Sequence, residues 1–275
     1  MGVISSSANS AVKSARKLTR RRERVRADEF LVEGPQAVRE AHSHLRRLFV
    51  TERAAAREQA LLERVRGCGA QILLVADDVL NGLASTVSPQ GLVGVATLPD
   101  SDLETVLDHA SLLVVCWQVS DPGNVGSILR SSDAAGVDAV VVTAGSVDVR
   151  NPKAVRASAG SLFHLPVVDD VTFEAVAAGC RARGIRLVAA SAHGTVDYLQ
   201  VDLNAPTALV FGSEAHGLDD KVAAACDAVA RVPLHRGPRA GYAGHAQSLN
   251  LAATVAVLAY EAARQRRAPA TPTPW

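Results

Sequence analysis

With 275 residues, 48% of them hydrophobic and 21% charged, the chain has the content of a packed globular protein of one large or two ordinary domains. A formal net charge of +1 gives no general case for a nucleic-acid partner, and an aromatic share of 4% leaves the core to Ala, Val and Leu. Cys68, Cys116, Cys180 and Cys226 are far apart with no Cys-x-x-Cys pair, which argues against a zinc site and a disulfide framework and reads as small buried thiols.

Charge is unevenly distributed. The first thirty residues hold eight Lys or Arg, Arg24 and Arg26 among them, against Glu23, Asp28 and Glu29. The spacing predicts one basic helix over 10–26 with a thin apolar edge of Val12, Leu18 and Val25. Such a local excess neutralises phosphates, and it serves equally as a solvated helix face. Residues 30–34 read as a short strand and turn, followed by a helix over 35–42, strands at 48–51, 71–75 and 92–96, and a helix over 54–66. This alternation predicts a small α/β domain over 1–98. Polar, turn-rich residues 98–103 are the linker candidate, and 99–110 form the linker and entry to the next domain. Strands are then expected near 112–119, 139–143, 185–190, 207–211 and 228–232, separated by helices, which predicts a second α/β domain with a mainly parallel sheet over 111–265. A last, Ala-rich helix runs from Ser248 to about Arg264, and the Pro-rich residues 266–275 are expected to be disordered. No apolar segment follows Met1, and the apolar run over 251–260 is too short to span a bilayer, so a reducing, cytoplasmic setting is expected.

Three blocks carry the chemistry. Val119–Gly136 reads VSDPGNVGSILRSSDAAG and follows the apolar run Leu112–Trp117, a buried strand, with a turn at Asp121-Pro122-Gly123 and a helix capped by Asn124. In its Asn-x-Gly-x-x-x-Arg pattern, Gly126 permits close backbone approach and Arg130 lies nearly two turns along. The pattern describes an anion-tolerant junction or a plain capped helix with a surface Arg. Residues 208–218, ALVFGSEAHGL, run from a strand into a Gly-Ser-Glu turn. Residues 231–262 begin RVPL, pass through a Gly-rich loop and reach SLNLAATVAVLAYEA. Neither a Gly-x-Gly-x-x-Gly nor a Walker-type motif nor a Gly-x-Ser-x-Gly elbow occurs, so NAD, ATP and triad hydrolysis are unsupported. His193, His216, His235 and His245 lie in separate polar loops without ligand spacing, and no metal is expected.

In this order and at these separations, the three blocks resemble the motifs of the SpoU/TrmH family of RNA ribose 2′-O-methyltransferases, within the SPOUT superfamily. The likeness covers about Ser111 to Arg264. The opening SSANSAVKSARKLTRRRERVRADEFLVEG is similar to the substrate-recognition module many members carry, a fold related to ribosomal RNA-binding proteins. The resemblance implies a trefoil knot at the carboxyl ends of the sheet, holding S-adenosylmethionine mainly through backbone groups. Its cofactor residues would be Ser191, Gly212, Gly217, Val232, Leu234 and Leu249. The same resemblance gives Arg130 the central catalytic role, with Asn124, Glu214, Ser248 and Asn250 arranged around it; Glu214 would hold Arg130 or a loop amide. A general-base guanidinium is resisted by energetics, since lowering it into the neutral range costs about 1.4 kcal/mol for every tenfold change in acidity, over several such steps. Phosphate binding and stabilisation of alkoxide charge are the roles expected of Arg130. RNA contacts are expected from Lys13, Arg16, Lys17, Arg20, Arg21 and Arg22, and from Lys153 and Arg156, with Ser158–Gly160 structural. The loop over 235–247 is longer than the family's usual connection and would add Arg236, Arg239 and Tyr242. The implied partners are RNA and a second copy of the chain, whose first-motif region completes the site. Large-subunit ribosomal RNA is the preferred substrate, transfer RNA the alternative, and a non-catalytic RNA-binding protein of the same fold the reading from another class.

Overall fold

In the computed structural model, which describes residues 2–234 and 246–267, the chain forms two compact units. The expected RNA contacts Arg236, Arg239 and Tyr242, His235 and His245, and the tail beyond residue 267 lie outside the described residues.

The first unit opens with α1 (Ser10–Lys17) and α2 (Arg21–Ala27), then β1 (Phe30–Glu33), α3 (Pro35–Glu40), β2 (Leu45–Val50), α4 (Glu52–Arg57), α5 (Gln59–Gly67), β3 (Gln71–Leu74), α6 (Asp77–Asn81) and β4 (Leu92–Ala96). Its sheet has the order β1-β4-β2-β3, antiparallel except between β2 and β3. Val12 from α1 and Leu18 at its C-terminal cap bury against Leu31, Phe49, Val79, Val93 and Val95. The expected single helix over 10–26 is two helices, because the chain breaks at Leu18–Arg20. The break has a specific support. Arg24 turns inward, donates from its guanidinium to the carbonyls of Leu18 (3.0 Å) and Thr19 (3.0 Å), and from Nε to Asp148 (2.8 Å). It is therefore not one of the cations available to phosphate.

The second unit contains α7 (Leu103–His109), β5 (Leu112–Cys116), α8 (Pro122–Ala135) and β6 (Ala139–Thr143). Residues 148–164, with α9 (Pro152–Ala157), pack with the first unit, although they stand between β6 and the next strand in the chain and the expected boundaries place them in the second domain. Phe163 stacks on Phe30 at 6.0 Å between ring centroids, and Gly160 leaves room for Glu40, which a Cβ there would strike. The second unit resumes with β7 (Val167–Val171), α10 (Phe173–Ala182), β8 (Arg186–Ala190), β9 (Val196–Asp197), β10 (Thr207–Phe211), α11 (Asp220–Ala224), β11 (Ala228–Arg231) and α12 (Leu251–Arg266).

Its seven strands run β7-β6-β5-β10-β8-β11-β9, every pairing parallel. β5, β6 and β10 are buried along their whole length, as near-continuous apolar strands covered on both faces must be. β7 and the two-residue β9 were not among the expected strands. In β7, Asp169 and Asp170 interrupt the apolar run, and Asp170 takes φ 59° where the register against β6 shifts. The helix after β5 starts earlier than expected. Asp121, not Asn124, is the cap, accepting from the Asn124 amide at 2.9 Å, and Pro122 occupies the first turn with its fixed φ. Of the thiols, Cys116 and Cys180 are buried, and burial pushes them up to about 12 and about 11; Cys68, by contrast, is exposed. Among the described residues no helix is long and apolar enough to cross a membrane.

The Arg24–Asp148 pair is almost fully enclosed, its side chains 3% and 5% exposed. Removing one partner strands the other charge, so Arg24→Ala should lower the unfolding free energy by about 3–5 kcal/mol in urea titrations. A paired Arg24→Met, Asp148→Leu replacement should recover part of that loss; a single-variant loss within experimental error would show the pair to be neutral.

Candidate functional site

Four adjacent strands, β5, β10, β8 and β11, end at the same edge of the parallel sheet. The loops leaving those ends are the blocks read from the sequence, together with Ser191 after β8. In open α/β sheets such an edge is where ligands bind. Here it holds a cavity of about 510 Å³.

The expected cofactor residues Ser191, Gly212, Gly217, Val232, Leu234 and Leu249 all line this cavity. So do Asn124, Glu214, Ser248 and Asn250, whereas Arg130 does not: it is exposed on α8. The lining suits a ligand held by backbone. Ser213 and Gly217 exchange two main-chain hydrogen bonds of 3.0 and 2.9 Å, which closes the turn after β10. A Cβ on Gly212 would collide with the backbone of Gly217 and Leu218, so only glycine lets the turn fold back this tightly. Ser191 is fixed by its amide, which donates to the carbonyl of Ala230 at 2.9 Å. Val232, Leu234 and Leu249 supply apolar wall. The volume, the accessible main-chain groups and these aliphatic side chains fit a nucleoside-sized ligand such as S-adenosylmethionine.

The polar rim is organised by one carboxylate. Glu214 accepts from the amide and hydroxyl of Ser120 (both 3.1 Å), from the amide of Asp121 (3.2 Å) and from Nδ2 of Asn124 (2.8 Å). Because that carboxylate only accepts, Asn124 presents its amide nitrogen to it and turns its Oδ1 toward Asn250, whose Nδ2 donates at 3.1 Å. Asn250 is left with its own Oδ1 for the amides of Ala252 and Ala253, and so caps α12. Partial burial pushes the Glu214 carboxyl up, but donation from Asn124 and the Ser120 and Asp121 amides outweighs it and holds the group below the usual carboxylate range. Of the two partners expected for Glu214, the structure shows the loop amides, with Asn124 beside them.

Several residues at this edge were not assigned to the site from sequence. Ser120 and Asp121 bind Glu214, and His193 and His216, read above as exposed loop histidines, both line the cavity. Their positions just past β8 and β10 were the available signal. No group of three or more His, Cys, Asp or Glu side chains able to hold a metal exists among the described residues. Of the expected RNA contacts, Lys13, Arg16, Lys17, Arg20, Arg21, Arg22 and Lys153 are exposed, while Arg156 is engaged with Glu33 and Ser85.

Residues 111–260 match the SpoU rRNA Methylase family, and residues 9–94 match the MRM3-like substrate binding domain. The chain is 30% identical over 260 residues to the 23S rRNA (guanosine(2553)-2′-O)-methyltransferase RlmP of Bacillus subtilis, covering 94% of this chain and 98% of that one. An AdoMet-bound rRNA methyltransferase from Sinorhizobium meliloti superposes with a TM-score of 0.83 at 29% identity, over 96% of this chain and 97% of that one. The SpoU methyltransferase AviRb from Streptomyces viridochromogenes, in complex with AdoMet, gives 0.81 at 33% identity over 94% and 99%.

The lowered Glu214 pKa fixes a sign. The carboxylate's contribution to stability is complete above the ordinary glutamate range and is lost as pH falls through the lower folded-state value. Glu214→Gln, which replaces one acceptor with a donor facing donors, should therefore be less stable than wild type at neutral pH. That gap should narrow in acid, as followed by thermal melts between pH 7 and 3. A gap independent of pH would assign the effect to shape rather than charge.

Proposed function

Because the chain belongs to the SpoU rRNA methylase family, RNA ribose 2′-O-methyltransferases that use S-adenosylmethionine, we propose that it methylates large-subunit ribosomal RNA in the cytoplasm. The observation that carries the reading is the convergence of all three sequence blocks on one cavity at the carboxyl edge of the parallel sheet.

S-adenosylmethionine, when bound, supplies an electrophilic methyl group, which the ribose 2′-oxygen takes as the methyl–sulfur bond breaks and the hydroxyl proton leaves. Gly212, Gly217, Val232, Leu234, Leu249 and Ser191 hold the cofactor in this reading, with the main chain doing most of the work. The Glu214–Asn124–Asn250 relay keeps the first block against the last. Ser248, exposed at the rim, is placed to meet the ribose. Arg130 binds the phosphate next to the acceptor nucleotide and stabilises alkoxide charge as the proton departs.

Arg130 stands outside the cavity of its own chain, which supports a homodimer in which α8 of one protomer completes its partner's site. The packed pair α8 and α12 carries an exposed face of Ser127, Arg130, Ala253 and Tyr260 on which such a dimer would close. The exposed cations of α1 and α2 give the RNA its non-specific hold.

Calorimetry and transfer of radiolabelled methyl to large-subunit ribosomal RNA test these assignments. Gly212→Ala should lose more than tenfold in S-adenosylmethionine affinity. Arg130→Ala should keep that affinity and lose at least 100-fold in turnover, the scale of a lost charge-stabilising donor. Arg130→Ala and Asn250→Ala, each inactive alone, should regain measurable turnover when co-expressed. Absence of that complementation in a mixed dimer would place Arg130 in its own chain's site, and no methyl transfer by wild type would remove the enzyme reading.

A further inference from the structure

The first unit has a depression of its own, of about 400 Å³, between the segment Ser5–Ser7, α1 and α6. Its floor is apolar, made by the buried side chains of Val12 and Val79. Its walls are polar: the hydroxyls of Ser5, Ser6 and Ser7, the guanidinium of Arg16, the carboxylate of Asp78 and the bare backbone of Gly82. Arg16 and Asp78 enter no ion pair among the described residues, so one unspent charge of each sign faces the same space.

A carboxylate is out of place on a surface that only grips phosphate, since it repels the backbone that the neighbouring cations attract. Nor is Asp78 needed as the acid of the first turn of α6, which Asp77 already supplies. What the combination of hydroxyls and opposite charges over a narrow apolar base does accommodate is a nucleobase held by its hydrogen-bonding edge, with that edge toward Asp78. The carboxylate selects among bases. Its two oxygens accept two adjacent N–H groups in parallel, and of the four RNA bases only guanine offers such a pair, N1–H and the N2 amine. Adenine, cytosine and uracil each set an acceptor beside their donor and would leave it facing the carboxylate.

We propose that this pocket binds an unpaired guanine of the RNA substrate, read by Asp78 at its N1 and N2 edge, with Arg16 on the adjoining phosphate. The proposal rests on the reading of the chain as an RNA-modifying enzyme and adds a base-specific anchor to it. Ser6, whose Oγ already accepts the Ala8 amide at 3.1 Å, keeps its proton to donate to the ribose or phosphate.

Fluorescence anisotropy with the full chain tests it, using labelled single-stranded octauridylate and the same strand carrying one central guanosine or one inosine, which lacks the N2 amine. Wild type should bind the guanosine strand about tenfold tighter than the inosine strand, the discrimination of a bidentate base contact. Asp78→Asn, exposed and outside the core, should erase that difference while binding octauridylate at least as tightly as wild type does. Arg16→Ala should weaken all three strands and flatten the salt dependence by about 0.7 in log–log slope. Equal binding of guanosine and inosine strands by a wild type that still methylates ribosomal RNA would overturn the pocket and spare the enzyme reading. A chain that neither methylates nor binds any strand would overturn both.

Discussion

The polar rim at the carboxyl edge of the parallel sheet depends on one acceptor-only group. Glu214 gathers the main chain of Ser120 and Asp121 and the side chain of Asn124, and its charge dictates which way each amide around it must point. The polarity passes from carboxylate to Asn124, from Asn124 to Asn250, and from Asn250 into the first amides of α12. Three chain segments far apart in sequence are thereby set in one orientation by polar contacts at the rim. The apolar work is done behind the relay, where α12 lies along α8 with Val255, Leu258 and Ala259 buried. A site built this way separates the rigidity of its frame from the chemistry of its rim.

The sheet was legible because its physics is simple. Parallel strands buried on both faces must be apolar throughout, and Leu112–Cys116, Ala139–Thr143 and Thr207–Phe211 are. That the loops after β5, β10 and β11 share a cavity follows from strand order, which periodicity alone does not contain; the family likeness supplied it. β7 was lost because its Asp169-Asp170 pair breaks the pattern that identifies a strand. Asn124 was assigned the cap because the Asp-Pro-Gly before it has turn chemistry, yet Pro122 at a first helical position has its φ already set for a helix.

Arginine was the residue type hardest to assign, and the reason is physical. Its long stem and five donors serve a buried carbonyl as readily as a phosphate. Within a few residues, Arg24 is enclosed against Asp148 and two carbonyls while Arg20, Arg21 and Arg22 are exposed, and no one-dimensional pattern distinguishes them. Arg266 makes the same point in the second unit, where it donates to the carbonyls of Leu203, Ala205 and Ser111 beneath the end of α12.

The placement of residues 148–164 has a consequence for how the protein is made. Because α9 and Phe163 complete the packing around β1, the first unit cannot finish until the polypeptide has been synthesised past β6 of the second. During translation Arg24 must wait for Asp148, more than a hundred residues behind it on the emerging chain, with an unpaired charge and an incomplete wall. Neither unit can be excised as one uninterrupted stretch, and a scissile site at the linker would leave the amino-terminal fragment short of its last helix.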